Sequence, residues 1–80
     1  MKPYNGHRSY NAWNVSLWIS NVESTYLFAL ECKNTPRKDG RPVSAGLAAL
    51  RFMKLYDGEK TDDGVPYTFL NVKLALDGLE

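Results

Sequence analysis

Tyr10-Asn11-Ala12-Trp13-Asn14-Val15-Ser16-Leu17-Trp18-Ile19 supports two periods at once, and the choice between them decides the fold. At period 3.6, Tyr10, Trp13 and Leu17 form one row while Val15, Trp18 and Ile19 add a second apolar edge, as in a helix buried on two sides. At period 2, Trp13, Val15, Leu17 and Ile19 alternate with Asn14, Ser16 and Ser20, and only Trp18 breaks a strand pattern. The same ambiguity returns near the C-terminus. There Leu70, Val72, Leu74 and Leu76 alternate, yet Val65, Phe69, Val72, Leu76 and Leu79 also form a helical row starting near Pro66 or Thr68. The helical reading is taken at both sites and gives an all-α, single-domain bundle of three to four helices. The rival is an α+β domain with a short antiparallel sheet and one helix.

Glycine and proline at Pro36, Gly40 and Pro42, and again at Gly58, Gly64 and Pro66, punctuate the rest of the chain. Ser9 to Lys33 is too long for one element of so small a domain, and Ser20-Asn21-Val22-Glu23 reads as a capping box that splits it. The second helix then runs from Val22 to about Lys33, with Val22, Tyr26 and Leu30 in its inner row and Asn34 and Pro36 ending it. Val43 to Tyr56 is the clearest helix: Pro42 suits its first turn, Ser44, Arg51 and Lys54 share a polar edge, and Gly58 stops it. Residues 1–80 form one small domain with a folded surface of roughly 4,900 Å², which buries only about 63% of the extended chain's surface. Bulky side chains must fill so thin a core, so Trp13 and Trp18 are expected inside and Tyr4 outside.

The formal net charge is +1 and the pI about 7.8, short of the basic footprint of a domain whose main partner is a phosphate backbone. Nucleic acid is unfavoured, not excluded. One cysteine and one histidine permit neither an internal disulfide nor a four-cysteine zinc site, which suits a reducing cytoplasm. Cys32 reads as a small buried hydrophobe. The longest apolar run, Tyr26 to Leu30, is far short of the roughly 20 residues that span a bilayer, and the N-terminal residues lack the apolar stretch of a signal peptide. No G-x-S-x-G, H-E-x-x-H or G-x-x-x-x-G-K-[ST] motif occurs. No catalytic residue, metal ligand or cofactor is therefore assigned, and an enzyme is not expected.

Charge is separated along the chain. Lys33, Arg37, Lys38 and Arg41, interrupted by Asp39, make a basic loop; Asp57, Glu59, Asp62 and Asp63, with Lys60 among them, make an acidic one. The acidic loop lacks the spacing of a calcium loop and reads as a solvated helix end followed by an Asp-Gly turn. Such polarity orients a partner more than it holds one. The partner-binding candidates are Tyr4, His7 and Arg8 near the N-terminus, Arg37, Lys38 and Arg41 in the basic loop, and Asp57, Glu59, Asp62 and Asp63 in the acidic loop. Asn14, a polar amide in mid-element, needs a hydrogen-bond partner and is expected to tie the N-terminal loop to the first helix.

The run from Tyr4 to Ile19, Y-N-G followed by S-Y-x-x-W-N-V-x-L-W-I, resembles the N-terminal signature of a family of small proteins of uncharacterised activity carried largely by bacteriophages and related mobile elements. Asn21, Glu23 and Tyr26 match the acidic turn and aromatic-bearing helix that follow in that family. Thr61, Asp63, Gly64 and Val65 match its T-x-D-G-V element. Val22, where an acidic residue is commoner, and the basic loop are departures. The resemblance implies a helical domain of phage-like origin and brings no site residues with it. By analogy with inhibitors of CRISPR and other defence systems, it suggests a non-enzymatic accessory protein that binds and inhibits or regulates a host protein in the host cytoplasm. Docking fits the size, since a standard interface takes about 800 Å² per partner. The alternatives are a nucleic-acid-binding accessory protein using the basic loop, and a homo-oligomeric structural piece.

Overall fold

A computed structural model describes residues 9–79. Four α-helices run through them: α1 (Tyr10–Asn21), α2 (Glu23–Asn34), α3 (Ala45–Tyr56) and α4 (Phe69–Asp77). The helical period prevails at both ambiguous sites. The one sheet-type pairing among the described residues is a single antiparallel bridge between Lys60 and Pro66, so the α+β alternative is set aside. Side-chain caps help decide the outcome, because each satisfies an amide that a helix start leaves orphaned. The Ser9 hydroxyl accepts from the Ala12 amide, Ser44 from Leu47 and Thr68 from Asn71.

The break between α1 and α2 falls within the expected tetrapeptide but is built differently. Ser20 remains helical, and Val22 is the N-cap in extended conformation (φ −101°, ψ 115°) without a side-chain cap. The Val22 amide donates to the Trp18 carbonyl while its own carbonyl accepts from the Tyr26 amide. One residue thus ends one helix and starts the next, leaving no extended position at Ser20 for a capping box. α2 stops where expected, the Thr35 amide and hydroxyl both donating to the Glu31 carbonyl just before Pro36. Pro42 lies outside α3, whose N-cap is Ser44.

The helices form a closed circuit in which α1 packs on α2 and α4, and α3 packs on α2 and α4. Small side chains line the seams. Ala29 and Cys32 of α2, Ala48 and Ala49 of α3, and Ala75 of α4 are buried, and they let short helices approach closely. The inner face of α2 is therefore Thr25, Ala29 and Cys32, not the expected row of Val22, Tyr26 and Leu30; Leu27 is exposed. Phe52 is the largest fully buried side chain. It stacks on Tyr56 at 4.4 Å between centroids and meets Phe28 at 5.4 Å. Val15 and Ile19 of α1 and Val72 and Leu76 of α4 complete the interior. Trp13 and Trp18, expected inside, are only half-buried, because the close α1–α4 seam has room for aliphatic side chains and leaves the indoles at its margins. No helix among the described residues is long and apolar enough to cross a membrane.

Candidate functional site

The segment between α3 and α4 is more than a solvated turn. Asp57 caps α3, and Gly58 and Gly64 adopt φ +83° and +85°, the left-handed region that glycine enters without a Cβ penalty. Between them the chain doubles back. The Thr61 amide donates to the Val65 carbonyl (2.8 Å), the Gly64 amide to the Thr61 carbonyl (2.8 Å) and the Tyr67 amide to the Glu59 carbonyl (3.0 Å).

This loop is clasped to α1 through Asn14, which is fully buried. Its Nδ2 donates to Asp63 Oδ2 (2.8 Å), and its Oδ1 accepts from the Thr61 hydroxyl (2.7 Å). Thr61 Oγ1 also accepts from the Val65 amide (3.2 Å). The chemistry fixes the amide's orientation, since an ionised Asp63 can only accept. The Trp18 indole N–H donates to the same Oδ2 (2.8 Å). The hydrogen bonds from Asn14 and then Trp18 hold the Asp63 carboxyl below its ordinary value, because they favour the charged form. Asn14 is thus satisfied, as expected, by the loop at 61–63; the expected tie to the N-terminal loop lies outside the described residues. The W-N-V and T-x-D-G-V elements, 45 or more positions apart in sequence, meet here.

Two hollows flank the end of α3, and Tyr67 forms a wall of both. One, about 730 Å³, is shallow and apolar, lined by Leu50 and Met53 of α3 and Phe69 of α4. The other, about 460 Å³, lies between the α1–α2 break and the acidic loop, walled by Trp18, Tyr56 and Tyr67. The profile of one protein family matches residues 1–78. The chain belongs to DUF7249, a family of unknown function. No curated protein and no solved structure matches it significantly.

In this DUF7249 chain the expected partner-binding residues fall into three groups. Tyr4, His7 and Arg8 lie outside the described residues. In the basic loop Arg37 makes a two-point ion pair with Asp39 (3.0 and 2.7 Å), and the Arg41 amide donates to the same carboxylate. Lys38 and Arg41 are exposed. Lys33 donates to the Leu79 carbonyl, tying α2 to the C-terminal end of α4, so the basic loop presents less open charge than its composition suggests. In the acidic loop Asp57, Glu59 and Asp62 are exposed, whereas the Asp63 carboxylate is engaged in the clasp.

Sequence reasoning missed the two hollows, having placed Phe69 in the apolar row of the last helix. The signal was present in α3: Leu47, Leu50, Phe52, Met53, Leu55 and Tyr56 cover too wide an arc to face one thin interior. Leu50 is 56% exposed, Leu55 66% and Phe69 42%. Cys32 is buried as expected, and its thiol is pushed up mainly by desolvation and next by Glu31, with Arg51 opposing. Among the described residues no group of three or more His, Cys, Asp or Glu side chains is placed to hold a metal ion.

Proposed function

We propose that this protein is a non-enzymatic accessory protein of the phage type. It acts in the host cytoplasm by docking on a host protein and inhibiting or regulating it, a defence component of the CRISPR type being the class of target that resemblance and size suggest. The observation that carries the docking reading is the apolar hollow bounded by Leu50, Met53 and Phe69. Isolated exposed leucines are ordinary on small proteins, but apolar side chains from two elements around one depression mark an interaction surface. Tyr67, buried beneath it, supplies a firm floor. The nucleic-acid reading draws less support, because Lys33 and Arg37 are held by Leu79 and Asp39.

The test is affinity capture from host lysate with the wild-type chain and with Leu50→Glu and Phe69→Glu. A stoichiometric host protein retained by the wild type and lost by both variants, whose far-UV circular dichroism is unchanged, supports the reading. Recovery of no such protein, or equal recovery by the variants, refutes it.

A further inference from the structure

The second hollow has a chemistry of its own. Its walls are the Trp18 indole, the Tyr56 and Tyr67 phenols and the side chain of Leu55, while Glu59, Lys60 and Asp62 stand around it. The Trp18 N–H is already committed to Asp63, so what the indole offers a ligand is its ring, and a carboxylate on that N–H makes the ring a better partner for positive charge. Within the hollow the Thr25 hydroxyl and the Tyr56 phenol lie 3.4 Å apart. Both retain lone pairs that can accept from an incoming donor.

The electrostatics point the same way. Glu59 and Asp62 outnumber Lys60, and the C-terminus of α3, at Tyr56, adds the negative end of a helix dipole. At Val22 the C-terminus of α1 meets the N-terminus of α2, so their opposite partial charges offset one another. The Tyr67 phenol registers the field: burial first, then Tyr56 and Asp62, push it up from its ordinary value. The burial share of that shift opposes charge of either sign, and only the smaller Asp62 share favours a cation.

From these features we infer that the hollow walled by Trp18, Tyr56 and Tyr67 receives an arginine side chain of the partner protein. A guanidinium is planar enough to lie on the indole, weakly hydrated enough to leave water, and carries five donors for the hydroxyls and the carboxylates of Glu59 and Asp62. The volume, about 460 Å³, admits one long side chain with space left beside it. This reading rests on the docking function above and names what the partner must present beside the apolar surface.

The experiment uses the full chain and small probes. Nα-acetyl-arginine amide is titrated while the Trp18 indole N–H resonance is followed, with the citrulline, lysine and glutamate counterparts in parallel. The expected result is a saturating shift with a Kd on the order of millimolar, about tenfold weaker for neutral citrulline and absent for glutamate. Asp62→Asn and Glu59→Gln, both at exposed loop positions outside the clasp, each weaken arginine by about threefold to fivefold. Equal responses to arginine and citrulline, a stronger response to lysine, or any saturating response to glutamate at Lys60 overturns the inference. So does a shift that depends on protein concentration alone and vanishes with Arg41→Gln, which would make a second copy the occupant. Host-protein capture that needs Leu50 and Phe69 without any arginine response sinks this inference and leaves the docking reading intact. An arginine response without capture keeps the hollow as an arginine site but removes the docking reading, and with it a partner protein as the source of the arginine.

Discussion

Replacing Asn14 by alanine removes the buried side chain that joins α1 to the loop between α3 and α4 and leaves only the Trp18–Asp63 bond across that junction. The buried Thr61 hydroxyl then keeps the Val65 amide but loses the acceptor for its own proton, a penalty of about 2 kcal/mol. The shorter side chain leaves a void of roughly 30 Å³, which at ~24 cal/mol per Å³ adds ~0.7 kcal/mol. The bond to Asp63 faces water and is left out of the sum. Asn14→Ala therefore costs about 3 kcal/mol, a large share of the ~4–12 kcal/mol expected for a domain of this length. In urea titration followed by tryptophan fluorescence and circular dichroism, the midpoint falls by about 3 M at an m-value near ~1 kcal/mol/M. In thermal melts the Tm falls by about 12–24 °C. Asn14→Asp sharpens the test, since it keeps the shape and can still accept from Thr61 but sets a second carboxylate against Asp63. It is less stable than Asn14→Ala at pH 7 and recovers below about pH 4, where one shared proton restores a donor. A loss under about 0.5 kcal/mol for Asn14→Ala would refute the clasp, as would pH-independent stability of Asn14→Asp.

The lowered pKa of Asp63 means that the unfolded chain binds its proton more readily than the folded one. Its stabilising contribution is thus fully present above the ordinary value of about 3.9 and is lost as pH falls through the lower folded-state value. Urea midpoints of wild type and Asp63→Asn should accordingly converge as pH drops from 5 toward 2, and a constant gap would count against the assignment. Gly64→Ala forces a side chain into the left-handed region where open space surrounds the Cβ, so only conformational strain is paid and the loss is about 1 kcal/mol by chemical denaturation. Phe52→Ala empties the centre of the aromatic stack and costs about 3–5 kcal/mol, enough that the near-UV dichroism of the stack should be lost at 37 °C. Cys32, buried and with its thiol pushed up, should alkylate with iodoacetamide at pH 8 far more slowly than a free thiol and reach the free-thiol rate only in denaturant.

Much of the helical framework follows from local chemistry written in the chain. Ser9 is followed by an apolar row, Pro36 comes after Asn34, and Gly58 comes after Tyr56; each marks a helix boundary through its own backbone or hydroxyl group, whatever lies across the core. The need for a partner at Asn14 was legible for the same reason, since a buried amide must be satisfied wherever it sits. The identity of that partner was not. Asp63 and Thr61 stand 49 and 47 positions away, and no periodicity links residues so distant.

Which apolar side chains go inside was likewise settled only by packing. Size and hydrophobicity nominated Tyr26, Leu30, Trp13, Trp18 and Phe69, but four short helices close tightly only over small residues. Ala29, Cys32, Ala48, Ala49 and Ala75 took the seams and displaced larger side chains to the margins. That displacement made the two hollows beside Tyr67. The sequence by itself determined where most of the helices stop and that Asn14 must be bonded, because those are short-range properties of caps, glycines and desolvated amides; in the first and last helices it left the helical and strand periods both open. Only the tertiary structure decided the clasp, the inner face of α2 and the two hollows left at the surface, because each depends on how closely one helix can approach another.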